Sequence, residues 1–341
     1  MIIITYSITR LPKLISISVL KTKLFAHLET MRLYTVLWCG LVSLVGACVT
    51  VGKLPSIKVT LLVLFIPMMG WTAGLYLSDY LDRKLDAIQK PHRPIPSGRI
   101  RPKEAIIVGA SFAIAGFFLT FLLTLYDVIL VFVVALLVFL YAHISKSHGL
   151  SGNINRGLVT VAAYFFGVFA TNTSFSSIPL YVWLLSIVFL LHDTNSNLVG
   201  AIRDIEGDKK GGYQTIPVKY GVKNSVLFSL LLTAVWLPVS LILPWYYQFV
   251  SFGFYLVMII DVCILFILYI YLSRSISSYN REKGLRFHEF FVIERVTLAS
   301  AFLFGIVNIA VALTIYILAL LVTSGSQYLL RKRYEFQVDS S

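Results

Sequence analysis

Residues 59–86 read VTLLVLFIPMMGWTAGLYLSDYLDRKLD, and they set the class of this chain. The run 59–78 is nearly all apolar and has the length, about 20 residues, that a helix needs to cross the hydrocarbon of a bilayer. It passes without interruption into Asp79, Asp82 and Asp86. Carboxylates at the edge of a bilayer core are costly unless neutralised, so they demand bound cations or a functional reason. The pattern occurs a second time, where the apolar run 178–200 leads into RDIEGD (203–208) with Asp204 and Asp208. Five of the chain's nine aspartates thus fall in two short windows.

Apolar runs recur along all 341 residues, nine in number, centred on 34–52, 59–78, 105–125, 127–143, 157–173, 178–200, 225–243, 250–272 and 297–322. With 58% hydrophobic and 13% charged residues, the composition lies outside the soluble globular range. The expected fold class is all-α, a polytopic membrane protein of about nine transmembrane helices in one domain over 31–323. A basic N-terminal tail (1–30) precedes it and a C-terminal tail (324–341) follows. The N-terminal segment is rich in Ser, Thr and basic residues, including Arg10 and Lys13, a composition shared by targeting peptides and cytoplasmic tails; the tail is the preferred reading. Cys39, Cys48 and Cys263 lie inside spans, odd in number and without metal-type spacing, and read as small buried hydrophobes.

The formal net charge of +13 reads as membrane topology, and no nucleic-acid partner is expected. With the N-terminus in the cytoplasm, 24 of the 29 Lys and Arg fall on one side of nine spans. Lys53 and Lys58 fall on the other, as do the terminal Arg331, Lys332 and Arg333, which sit awkwardly with an odd span count. This positive-inside bias puts both aspartate windows on the cytoplasmic face of an integral, multi-pass membrane protein.

If the second span stays helical into its loop, Asp79, Asp82 and Asp86 share one face at i, i+3 and i+7, and Ser78 joins them. Asp204 and Asp208 share a face at i and i+4, with Glu206 pointing elsewhere. Like charges so spaced repel, and divalent ions between them would relieve the repulsion. Oxygen-only ligands select Mg²⁺ or Mn²⁺, and Mg²⁺ suits clusters of two or three acids because it binds through one or two carboxylates plus substrate phosphates. Arg83, Lys84, Arg93, Arg99, Lys146, Arg156, Arg203, Lys209 and Lys210 surround the clusters or lie in neighbouring cytoplasmic loops. Metal ions with Arg/Lys clamps stabilise a departing diphosphate, although any one of these cations also fits an ordinary positive-inside residue.

SDYLDRKLDAIQKPHRPIPSGRI (78–100) and RDIEGDKKGGYQTIPVKYG (203–221) together resemble the two signature loops of the UbiA superfamily of intramembrane prenyltransferases. The family's motifs run Asn-x-x-x-Asp-x-x-x-Asp and Asp-x-x-x-Asp. The likeness extends from about Arg32 to the last span and includes YAHISKSHGLSGNINRG (141–157). It implies helices around a central cavity that opens sideways to lipid, capped by cytoplasmic loops. It assigns metal binding and catalysis to Asp82, Asp86, Asp204 and Asp208, with two Mg²⁺ ions bridging a diphosphate. Ser78, Asp79, Arg93, Tyr141, Lys146, Arg156, Asn197, Arg203 and Lys209 are the expected substrate-binding residues. Tyr141 and Lys146 lie near the family's diphosphate-binding Tyr and Lys without matching their spacing.

Ser78 replaces the first motif's Asn; a hydroxyl can still accept a hydrogen bond but reaches less far than an amide. HDTNSNLVGAIRD (192–204) is polar for a span, and His192, Asp193, Asn195 and Asn197 fit an acceptor pocket, a proton relay or plain helix-to-helix hydrogen bonding. Asp261 is a separate acid midway along the eighth span. The expected reaction is Mg²⁺-dependent transfer of a prenyl group from a polyprenyl diphosphate to a hydrophobic acceptor, aromatic or lipid, with release of diphosphate. Aromatic faces such as Tyr76, Phe165, Phe166, Tyr181 and Trp183 are candidates to shield the allylic cation. The alternatives are a UbiA-type terpene cyclase, which needs no acceptor, a secondary transporter, whose acids would sit nearer the bilayer midplane, and a silent scaffold.

Overall fold

The computed structural model describes residues 17–172 and 174–335, so Arg10, Lys13 and most of the expected N-terminal tail lie outside the described residues. What is described of that tail is a helix, α1 (Ile17–Met31), which meets α2 (Leu33–Val51) at Arg32. Arg32 adopts a left-handed conformation, φ 46°, and so breaks the helix in a single residue. The following helices are α3 (Ile57–Gln89), α4 (Pro102–Thr120), α5 (Leu125–His143), α6 (Ser151–Thr171), α7 (Leu180–Lys210), α8 (Ile216–Tyr247), α9 (Phe252–Ser275), α10 (Arg281–Ile306) and α11 (Ile309–Ser326). A π turn, Gln327–Arg331, and the short α12 (Lys332–Glu335) end the described chain.

Among the described residues, nine helices are long and apolar enough to cross a membrane, which confirms the all-α polytopic class. The ninth apolar run, 297–322, is not one span as expected. The backbone turns at Val307 and Asn308, where the Asn308 side chain caps α11 by accepting from the Ala310 amide at 2.9 Å. The run therefore supplies the end of α10 and most of α11, a helical hairpin. α10 carries the buried Glu294 and Arg295 and is a tenth long helix of the bundle. The extra reversal has a topological consequence. It returns Arg331 and Arg333 to the aspartate-bearing end, and among described residues only Lys53 and Lys58 lie in a connection at the other end. Residues 324–335 are therefore an ordered continuation of the bundle rather than a separate tail.

Helix length is what presents the acids. α3 has 33 residues and α7 has 31, about 50 and 46 Å at 1.5 Å per residue. Both exceed the roughly 30 Å hydrocarbon thickness, so their last turns stand clear of it while still helical. α2 is the central element, wholly apolar except for Ser43 and its Thr residues, and packed on α6, α3 and α10. Its closest approach is to α6: a β-carbon at Gly167 would fall 1.7 Å from the Ser43 carbonyl oxygen, and one at Gly46 would fall 2.1 Å from that of Tyr164. Without a hydrophobic drive between helices in lipid, such small-residue contacts carry association. Because the obstruction is backbone, Gly167→Ala is expected to cost about 1–3 kcal/mol, read as a lower midpoint of thermal unfolding in detergent micelles.

Candidate active site

One cavity of about 860 Å³ runs from the ends of α3 and α7 into the bundle. Its apolar part is walled by α3 and α4 on one side and α5 and α6 on the other, with Leu77, Ala110, Phe117, Val134, Val138 and Phe166 among its lining. Few residues of α4 touch α5, so the two helix pairs stand apart around this trough. Its polar end is assembled from four separate stretches of chain. A two-residue parallel bridge ties them: β1 (His148–Gly149) pairs with β2 (Gln214–Thr215), clipping the α5–α6 connection to the α7–α8 connection.

That clip brings Lys146 to the acids. Its Nζ donates to Asp82 Oδ2 at 2.5 Å, and Ser78 Oγ donates to the same oxygen at 3.3 Å. Burial works against the Lys146 charge, but Asp82 outweighs it and holds the ammonium well above its ordinary range. Arg93 reaches both oxygens of Asp86, at 3.0 and 2.8 Å, a forked pairing that favours Arg over Lys. Arg203 binds its neighbour Asp204, with Nε 3.1 Å from Oδ1, and Lys90 stands 3.9 Å from the same carboxylate. Burial lowers the Lys90 pKa and Asp204 only partly restores it. Asp208 accepts from the Thr215 hydroxyl at 3.1 Å. Among the described residues no three His, Cys, Asp or Glu side chains form a metal cluster. The acids instead offer one or two carboxylates at a time, the donor set that suits Mg²⁺ when substrate phosphates complete its shell.

All four aspartates, Asp82, Asp86, Asp204 and Asp208, line this cavity. Ser78, Arg93, Tyr141, Lys146, Arg156, Asn197 and Arg203 line it as well. Two expected residues do not. Asp79 shares the face of α3 with Asp86, as the spacing required, but Arg32 and Tyr334 cover it: Tyr334 donates to both its oxygens, at 2.8 and 3.0 Å, and Arg32 pairs with Oδ1. Lys209 is exposed, because one step along α7 turns a side chain about 100° from Asp208. Of the polar stretch in α7, Ser196 and Asn197 line the cavity, and Asn197 is 2.9 Å from the Asn153 amide. Asn195 serves helix-to-helix bonding, with Thr233 at 2.8 Å, Ser229 at 2.6 Å and Tyr269 at 3.3 Å. His192 bonds Glu294 of α10 at 2.9 Å, and Asp261 is wholly buried beside the same carboxylate.

Among the aromatic candidates, Phe166 alone lines the cavity; Phe165 stacks with Trp183 and Phe169, and Tyr181 with Phe249. Sequence reading passed over Trp71, whose ring carries Arg156 at 3.9 Å, and Tyr213, which lines the polar end near Lys146. Lys90 and Tyr213 lie within the two signature loops and were there to be found. Tyr334 and Glu335 carried no signal, since nothing local connects them to residues some 250 positions earlier.

Helices in this number, with an acid-and-base rim over an apolar trough, define an intramembrane enzyme for a substrate that is charged at one end and greasy at the other. The UbiA prenyltransferase family profile matches residues 36–293. The chain belongs to that family and is a prenyltransferase. The digeranylgeranylglyceryl phosphate synthase of Thermococcus sibiricus is 29% identical over 252 residues, covering 72% of this chain and 86% of that one. A structure solved for work on digeranylgeranylglyceryl phosphate synthase in membranes is 28% identical, covers 83% of this chain and 98% of its own, and has a TM-score of 0.61. A UbiA homologue from Archaeoglobus fulgidus, bound to GPP and Mg²⁺, shares the fold at 14% identity and TM-score 0.59, over 80% of this chain and 99% of its own.

Asp79 is 4% exposed, and removing one partner of a buried ion pair costs about 3–5 kcal/mol. Asp79→Ala is therefore expected to lower the unfolding midpoint in detergent far more than Lys209→Ala, which changes an exposed side chain; equal midpoints would contradict the structural role assigned to Asp79.

Proposed function

We propose that this chain forms an ether bond between an isoprenoid and a glycerol-phosphate lipid, using a polyprenyl diphosphate as donor and releasing diphosphate at the cytoplasmic face of the membrane. The observation that carries this reading is the single cavity joining a rim of four aspartates and several Lys and Arg to an apolar trough. An isoprenoid diphosphate has that polarity along its length. The curated relatives are named for a glyceryl phosphate bearing two geranylgeranyl groups, so the acceptor here would be a glyceryl phosphate that already carries one.

Asp82 and Asp86 from α3, with Asp204 and Asp208 from α7, would hold two Mg²⁺ ions against the donor's diphosphate. When bound, those ions would offset the negative charge that builds on the diphosphate as it departs. Lys146, now paired with Asp82, is placed to bind phosphate oxygens, as are Arg93 and Arg203. Such preset cations lower the barrier because their positions need no rearrangement as charge develops. The trough holds the prenyl chain and keeps water from its first carbon. The bond from that carbon to the diphosphate oxygen breaks, the acceptor's hydroxyl oxygen bonds to the carbon, and the hydroxyl proton is lost. Trp71, Tyr141 and Tyr213 present ring faces to the cavity, where a developing cation would be attracted to them.

The test is incubation of the purified protein with radiolabelled prenyl diphosphates of several lengths, a panel of acceptors and either Mg²⁺ or EDTA. Product is expected with the glycerol-phosphate lipid, not with aromatic acids, and EDTA is expected to abolish it. Diphosphate release without any acceptor would replace this reading by a cyclase. Asp82→Ala and Asp208→Ala are each expected to remove turnover while leaving expression intact; near-normal activity in either would refute the role given to that residue.

A further inference from the structure

The end of the described chain, Gln327–Glu335, lies outside the residues that match the family profile. It nevertheless reaches the cavity, which Glu335 lines. Tyr334 is clamped between two guanidinium groups, Arg32 at 4.3 Å and Arg93 at 4.2 Å from the ring centre. Beside it Glu335 is 3% exposed. Its carboxylate accepts from Arg281 at 3.0 Å and stands 3.5 Å from Arg203 and 4.0 Å from Lys90. Burial alone would raise its pKa, but Arg203, Lys90 and Arg93 hold it well below the usual carboxylate range. Glu335 is thus a fixed negative charge on the wall of a cavity whose other cations face the aspartates.

Three cations from three elements, the α3–α4 connection, α7 and α10, converge on this one carboxylate. Two of them, Lys90 and Arg203, also contact Asp204 at the rim. Two planar oxygens held between an ammonium and two guanidiniums occupy the place that a phosphate group would take. The element that delivers them is only four residues long and ends the described chain, the kind of segment that opens at low cost. We propose, resting on the function proposed above, that Glu335 is a built-in competitor of substrate. It fills a phosphate subsite formed by Lys90, Arg203 and Arg281, and α12 must leave that subsite before a phosphate-bearing substrate can take it. The apparent affinity for that substrate is then reduced by the fraction of molecules in which the subsite is open.

The phosphate could be the donor's diphosphate or the acceptor's single phosphate, and the experiment separates them. KM is measured for each substrate in turn with the parent chain, with Glu335→Gln, which keeps the shape and removes the charge, and with a chain ending at Arg331. Both variants are expected to lower KM for one of the two substrates, on the order of tenfold if the closed form predominates. A fall confined to the donor assigns the subsite to its diphosphate, and a fall confined to the acceptor assigns it to that phosphate. Unchanged or higher KM values for both substrates in folded, active Glu335→Gln would overturn the proposal while leaving the function intact. If the truncated chain fails to fold, the Glu335→Gln comparison alone decides. A parent chain that binds no inorganic diphosphate in the presence of Mg²⁺ would sink the functional reading and this inference with it.

Discussion

Charge compensation of acids held at the edge of a low-dielectric bundle is the constraint on which the rest of this structure depends. A carboxylate there is tolerable only with a partner close by. Asp82 has Lys146, Asp86 has Arg93, and Asp204 has Arg203 and Lys90. None of these cations, Arg203 apart, is on the helix that bears its acid. Each pairing therefore fixes the position of a connection relative to a helix end, and the pairings together assemble the polar end of the cavity. The same cations that neutralise the acids in the free protein are the ones a phosphate would need. Electrostatic stability of the bundle and readiness for an anionic substrate are one arrangement.

Helix length sets up this arrangement. α3 and α7 overrun the hydrocarbon and stay helical, so their acids project from rigid rods and not from loops. A site on such elements keeps its geometry better than one on mobile connections. The short bridge between β1 and β2 does the same for the two connections that carry Lys146 and Thr215. Farther in, α4 and α5 keep apart and leave an apolar trough.

The middle of the bundle holds a second set of polar groups that the cavity does not reach. His192 with Glu294, and Asn195 with Ser229, Thr233 and Tyr269, join α7 to α10, α8 and α9. In a bilayer, where apolar side chains gain little by leaving lipid, such interhelical hydrogen bonds help decide which helices associate. They hold α7, the helix that carries Asp204 and Asp208, to its neighbours on the side away from the substrate.

Local sequence was enough to show that the chain spans a membrane, that α3 stays helical through its acids, and that two acidic windows face one end. Apolar run length, helical periodicity and the distribution of Lys and Arg are all written in contiguous residues. The residues of the two signature loops named the four aspartates that share the cavity. Sequence did not show that Asp79 is covered, because its cover, Tyr334, comes from 255 positions away. Nor did it show that the apolar run 297–322 folds back on itself, since Asn308 is the one weak signal in an otherwise continuous run. That turn is what carries the C-terminus to the aspartates. The charge on each acid is local chemistry, but which cation answers it was settled only when distant helices packed.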